Sequence, residues 1–326
     1  LTRLEQSAAS LVVPLSIAYQ TRPQFVALRK EMGRIPGRWR FAFFDREPHA
    51  LFGEDVKTRN AIVFHRRGGL SNAAIVLETG PLRRWTSRSR AAMFANIRFT
   101  PLQRLEITFG IPKVDGESQA RALNLLERRS DRISDLWLHS GRASAADAFL
   151  PSEQSTVFVA STAYNFINVF RPHQQPRSSR LPLTENPLLA IECADERVAR
   201  AIFAILSSRI IFWWWHTHGD GFHVTKTFIE GIPLGSQLSS ETIYRLSDAG
   251  EQLWRAVQPF RIRSLNGGRE SVAYRPIHCE VERDEIDRII IAATGLDPTF
   301  ADEVRRFVWS TVVVDGRDER RRKLHE

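Results

Sequence analysis

Over its first 110 residues the chain alternates short apolar runs with one helical segment, and that succession restricts the fold more than any other feature. Leu11–Tyr19 (LVVPLSIAY) is a largely apolar run, with Ser16 its one small polar residue and Pro14 its break. Such a run suits a strand buried on both faces, central or nearly so, with Pro14 at a strand end or bulge. Thr21–Met32 reads as a helix: Pro23 suits a first turn, and Phe25, Leu28 and Met32 share a face. Gly33 and then Pro36-Gly37 end it. Arg40–Phe44 and Ala61–Phe64 read as further strands, Ala73–Glu78 and Leu105–Ile111 as edge strands. Strand and helix in alternation give an α/β class, as in a doubly wound sheet.

From residue 113 the pattern changes, and a second domain is expected over 113–326. Gly116–His139 carries Leu123, Leu126, Ile133, Leu136 and Trp137 at helical spacing, with Arg121, Arg128, Arg129 and Arg132 among them. A basic helix is usually a solvated face, and here one face could follow phosphates. Thr156–Ala160, Phe166–Phe170 and Leu188–Cys193 read as strands. Between them, Arg171–Pro187 (RPHQQPRSSRLPLTENP) is a long polar, Pro-rich loop of a kind that either connects or reads a groove. Asp195 is placed to cap a helix reaching about Trp215. Trp213, Trp214 and Trp215 point about 100° apart on a helix and cannot all face one way; exposure of one for base stacking is the alternative, and core and interdomain packing is the expectation. Glu241–Val257, Arg283–Ala293 and Asp302–Trp309 read as helices, the last two jointed at Gly295-Leu296-Asp297-Pro298.

Charge narrows the partners. Lys plus Arg is 46 against 37 Asp plus Glu, a formal +9, and the sequence pI is about 10.2. Most of these cations are Arg, which forks onto phosphate and guanine edges. A nucleic-acid partner fits, as would a ribosomal or membrane-surface role. Cys193 and Cys279 are the two cysteines, which excludes a disulfide framework and a four-Cys zinc site and fits a reducing cytoplasm. The most apolar stretch, Val198–Trp215, contains Arg200 and Arg209 and is expected to be a buried helix rather than a membrane span. His216, His218, Asp220 and His223 invite a metal reading. Gly219 and Gly221 argue for a tight turn instead, and no metal site is expected.

Leu51–Arg66 (LFGEDVKTRNAIVFHR) concentrates the candidate chemistry. Phe52 precedes a polar, Gly-containing loop, Lys57, Arg59 and Asn60 follow, and Ala61–Phe64 forms the strand. An aromatic at the lip of a strand, beside cations and an amide, is equipped to stack on a flat base. A core plug is the structural alternative for the same phenylalanine. This segment resembles the one after the catalytic motif in gamma-class adenine-N6 DNA methyltransferases. Ser10–Tyr19 resembles that family's strand ending in "VP.S", Phe25–Met32 its "LR..L" helix, and Trp39–Pro48 its next strand and exit. Thr225–Leu234 (TKTFIEGIPL) resembles the "T......IP.P" loop-strand of the specificity domain. Glu282–Leu296 resembles the "ELD.lVA..YGL" helix of fused methylase–specificity polypeptides.

The resemblance implies that residues 1–112 are the C-terminal half of a Rossmann-like methyltransferase sheet and 113–326 an α+β target-recognition domain with terminal helices. Two family motifs have no counterpart: the Gly-rich turn that holds S-adenosylmethionine, and the Asn/Asp/Ser-Pro-Pro-aromatic catalytic loop, since Asn186-Pro187 is followed by Leu188. The expectation is a piece of a site-specific adenine-N6 methyltransferase, inactive alone. S-adenosylmethionine would be bound by an N-terminal half or a separate catalytic subunit. Phe52 would stack on the flipped adenine. Lys57, Arg59, Asn60, Arg177, Arg180, His223, Thr225 and Lys226 would meet double-stranded DNA. Restriction–modification or phage defence in the cytoplasm is the implied setting. The alternative is a non-catalytic DNA-specificity subunit. A nuclease reading rests on Glu280-Val281-Glu282, which lacks the lysine that chemistry uses.

Overall fold

The computed structural model describes residues 8–46, 49–52, 58–67, 75–85, 92–95, 97–103, 110–149, 154–163, 166–172, 187–266 and 268–312. It is a mixed α/β protein, and the chain divides into two compact units. One comprises Leu1–Asn124 and Trp214–Gly221, the other Leu125–Trp213 and Phe222–Glu326.

The first unit contains β1 (Ala8–Pro14), α1 (Ser16–Tyr19), α2 (Pro23–Met32), β2 (Gly37–Phe44), β3 (Asn60–Arg66), β4 (Ile75–Arg83), β5 (Thr100–Leu102) and the start of α3 (Gly116–Glu127). Its five-stranded sheet runs β1-β3-β2-β4-β5. β3 is antiparallel to β1 and β2, β4 is parallel to β2, and β5 is antiparallel to β4.

Period-two alternation in β2 builds a core on each face. Trp39, Phe41 and Phe43 join Leu15, Ile17, Ala18 and Met32 on one side. Ala42 and Phe44 join Leu51, Trp85 and Met93 on the other. With apolar side chains on both faces, β2 takes the centre of the sheet. Arg29 of α2 is fully buried and donates to the Ile17 and Gln20 carbonyls at 2.9 Å each, tying α2 to the end of α1.

Two strand expectations are corrected here. Leu11–Tyr19 is not one central strand: the extended part stops at Pro14, and Ser16–Tyr19 is helical. β1 is an edge strand, with Leu11 and Val12 at 42% and 52% exposure. Pro14 removes a backbone donor, and the apolar residues after it pack as a helix on the sheet. Ile75–Arg83 is interior rather than an edge, lying between β2 and β5. Of Leu105–Ile111, residues 105–109 fall outside the described residues.

The second unit holds a four-stranded sheet and a helical layer. Its strands are β6 (Trp137–Ala143), β7 (Thr156–Ala160), β8 (Val169–Phe170) and β9 (Leu188–Cys193), in the order β6-β9-β7-β8 with antiparallel pairs. Its helices are α4 (Glu196–Ser207), the start of α5 (Arg209–His218), α6 (Lys226–Glu230), α7 (Ser240–Val257), α8 (Glu280–Thr294) and α9 (Phe300–Thr311). β10 (Arg261–Asn266) and β11 (Arg269–Tyr274) form a hairpin between α7 and α8.

Gly116–His139 is not one helix. α3 ends at Glu127, Ile133–Leu136 is a single 3-10 turn, and Trp137 begins β6. Asp131 directs this break. Its Oδ2 accepts Arg129 at 2.9 Å and the Gly235 N–H at 2.6 Å, bonds a continuing helix could not make. Burial favours the neutral acid, yet the Arg129 and backbone donors outweigh it and hold the carboxyl below its usual range. Asp195 caps α4 through the Val198 N–H at 2.9 Å, as expected. The helix nonetheless stops before Ser208, whose hydroxyl donates to the Ile205 carbonyl and accepts the Ile211 N–H, and α5 departs at 59°. All three consecutive tryptophans are buried, at 0%, 7% and 0% exposure, because α5 is enclosed on every side. Gly295 has φ +70°, the left-handed conformation that ends α8 and permits the expected joint to α9. Among the described residues, no single helix is long and apolar enough to cross a membrane, and both cysteines are buried free thiols.

Candidate functional site

Strand direction places the candidate site in the first unit. Pro14 of β1 and Phe44 of β2 both lie opposite Asn60, the first residue of β3. Phe44 also lies beside Arg83 at the end of β4. The carboxyl ends of β1, β2 and β4 therefore share one end of the sheet. In open α/β sheets, ligands bind outside that end.

Asp45 follows β2 directly and is fully buried. Its Oδ1 holds Arg59 Nε at 2.7 Å, and its Oδ2 holds Arg84 Nε at 2.8 Å. The Asp45 N–H donates to the Arg83 carbonyl at 2.8 Å, so backbone pairing aims the carboxylate before any side chain moves. Both guanidinium groups are nearly enclosed, with side-chain exposures of 9% and 6%. Arg59 leads into β3 and Arg84 leaves β4, so one carboxylate clamps three chain ends.

A second buried polar group stands in the same unit. Lys113 is 2% exposed, and its Nζ donates to the Thr217 carbonyl at 2.8 Å. The Lys113 backbone N–H reaches the same oxygen at 3.0 Å. The ammonium also lies 5.8 Å from the centre of the Phe43 ring. Burial drives the amine down to about 7, against the opposing pull of Asp220. His216 is buried as well. Burial first, then the charges of Arg84, Lys113 and Arg59, hold its imidazole well below its usual range, so the ring is neutral. The Tyr19 hydroxyl is raised by burial and by Asp220. Gly221, at φ +71°, brings the backbone within reach of Leu82 and His216, where a Cβ would sit 3.1 and 3.3 Å from their side chains.

The expected site residues divide by this geometry. Phe52 lies on the turn after Leu51 and is 53% exposed, while Leu51 is buried in the core on the Phe44 face. A ring with one open face can stack on a planar group. Arg59 is an interior cation engaged by Asp45. Asn60 is buried, and its Nδ2 donates to the Thr58 carbonyl at 3.0 Å, shaping the entry to β3. Lys57, Arg177 and Arg180 lie outside the described residues.

In the second unit His223 is exposed and forms an antiparallel bridge with Thr162. Thr225 is an N-cap rather than part of a loop-strand: its hydroxyl accepts the Phe228 N–H at 3.1 Å and starts α6. A Thr followed by Lys-Thr-Phe fits that cap, and the strand expectation is corrected. Lys226 Nζ donates to the Ser140 carbonyl at 3.1 Å and lies 3.5 Å from Glu230. Arg129 and Arg132 serve the chain itself: Arg129 pairs Asp131, and Arg132 donates to the Arg129 and Asp131 carbonyls.

Sequence reasoning missed Asp45, Arg84 and Lys113, and weighed His216 and Asp220 only as metal ligands. A single charged residue ending an aromatic strand, as in Phe43-Phe44-Asp45, was the available signal for the first. Lys113 had none, because a lone lysine in a sequence reads as solvated. Searches against protein-family models and against curated proteins find no match.

Proposed function

We propose that this chain is the target-binding part of a site-specific adenine-N6 DNA methyltransferase, with S-adenosylmethionine and the catalytic loop held by a further polypeptide segment or subunit. The observation that carries this reading is the half-exposed Phe52 ring on the turn after Leu51, whose side chain packs with Phe44 at the carboxyl end of β2 and Trp85 just past β4. An adenine extruded from a duplex needs an aromatic face of this kind, since it has lost its stacking neighbours. Arg59 and Asn60 enter the mechanism as positioning residues. The clamp on Asp45 and the bond to Thr58 hold the chain that follows the Phe52 loop.

The open sheet supports a half-fold. Among the described residues β1 pairs on one side only, and its sequence, AASLVVP, carries no charge that would guard an edge. A further strand on β1 would cover Leu11 and Val12 and continue the sheet toward a cofactor half. In the second unit His223 and Lys226, together with Arg177 and Arg180, are the groups offered to DNA in a target-recognition domain. The formal charge of +9 favours that partner, and two free buried thiols suit a reducing cytoplasm.

Fluorescence anisotropy with a short duplex at two salt concentrations tests this reading. Four phosphate contacts would weaken binding about a hundredfold between 50 and 200 mM salt. A flat salt response, or no binding at low salt, counts against it.

A further inference from the structure

We infer that Phe94 is a second stacking surface, and that Phe52 and Phe94 together receive one unpaired nucleobase. This rests on the proposed function and adds a residue to its site. Among the described residues of the first unit, four large apolar side chains are more than a third exposed: Leu11, Val12, Phe52 and Phe94. The first two belong to the open strand β1. The other two are aromatic, and they stand on two different turns that cover the same face of the sheet.

Both turns are anchored in one small core. Leu51, immediately before Phe52, and Met93, immediately before Phe94, are each 7% exposed and pack in the cluster built on Ala42, Phe44 and Trp85. Each turn thus buries one residue and projects the next. Phe94 is 54% exposed, and its ring lies 5.8 Å from that of Phe44 at an interplanar angle of 57°. One side of the ring is braced and the other is open. Exposing two phenylalanines on one small core sacrifices apolar burial, and a planar ligand would recover it.

The surrounding charge selects the ligand. Arg84, beside Trp85 of the same core, is held by Asp45, and Arg98 is the exposed cation on the segment after the Phe94 turn. An unpaired base carries a flat π-face and a phosphate on one nucleotide, which matches aromatic rings beside exposed arginine. A lipid or an apolar peptide would use the rings without using the charge.

The test uses the full chain and a duplex bearing 2-aminopurine opposite an abasic position. Anisotropy reads total binding, and 2-aminopurine quenching reads stacking. Phe94→Ala and Phe52→Ala are each expected to weaken binding of this duplex about tenfold relative to a fully paired one. Phe94→Tyr is expected to keep the wild-type response. Phe94→Leu, which keeps apolar bulk without a π-face, is expected to lose the quenching, and it also serves if the alanine variant does not fold. Loss with Phe52→Ala but not with either Phe94 variant overturns the two-ring platform and leaves the proposed function standing. Full quenching with Phe94→Leu likewise overturns it. No quenching by the wild-type chain overturns the platform and removes the stacking role of Phe52 as well.

Discussion

Asp45 and Arg59 meet at 2.7 Å in the interior of the first unit, between the end of one strand and the start of its neighbour. Arg84 closes the clamp at 2.8 Å. Asp45→Asn would leave two nearly enclosed guanidinium groups facing a neutral amide. Removing one partner of a buried ion pair costs about 3–5 kcal/mol. Denaturant unfolding should show a loss of that size, and a loss under about 1 kcal/mol would mean the clamp is solvated.

Lys113 makes the first unit sensitive to pH. Its amine is held at about 7 in the folded chain, against 10.5 ordinarily. Between those values the unfolded chain binds the extra proton, so stability rises with pH from about 7 to 10.5. Below about 7 the folded chain carries the proton too, beside neutral His216 and with Asp220 as its countercharge. Lys113→Met, similar in length and uncharged, should flatten this part of the profile. Denaturation midpoints at several pH values for both chains would reveal the difference; parallel profiles would exclude Lys113 as the cause.

Gly250 allows α4 and α7 to touch in the second unit. A Cβ at this position would lie 2.3 Å from the Arg200 carbonyl oxygen and 3.2 Å from the Ala204 Cβ. Helix propensity alone would make Gly250→Ala stabilising by about 1 kcal/mol. The backbone contact predicts the opposite sign, a loss of about 1–3 kcal/mol from overpacking. A thermal midpoint above that of the natural chain would refute the close approach.

Phe52 should separate function from stability. Its ring is half exposed, so Phe52→Ala should alter folding by only about 0.5 kcal/mol. In the complete enzyme the same change should lower adenine methylation at least about tenfold while leaving affinity for ordinary duplex nearly unchanged. Equal losses in methylation and duplex affinity would sink the stacking role.

Arg209 links α5 to α8, with Asp287 Oδ2 at 2.9 Å and Asp284 Oδ1 at 2.6 Å. Asp287 is 1% exposed, and burial raises its carboxyl although Arg209 and Arg283 oppose it. Asp287→Ala should cost about 3 kcal/mol by removing the buried one of Arg209's two carboxylate partners. Restoration of most of this stability by pairing it with Arg209→Met would identify the under-compensated buried charge as the cause.

The sequence alone determined the local elements whose pattern is repeated over several residues. The strand-forming runs Arg40–Phe44 and Ala61–Phe64, helical spacing in Glu241–Val257, the Asp195 cap and the Gly295 joint all reappear in the structure, since each depends on neighbours within a few positions. Phe52 could be singled out from its place just before a polar loop that leads into an apolar strand. Only the tertiary structure decided that β1 lies at an edge, that Asp195's helix breaks at Ser208, and that three successive tryptophans are all buried. It alone brought Asp45 to Arg59 and Arg84, Lys113 to Thr217, and Leu51 and Met93 into one core. Such pairings join residues up to 104 positions apart. A periodic pattern records which face of an element is apolar, but burial and charge pairing depend on which distant segment covers that face.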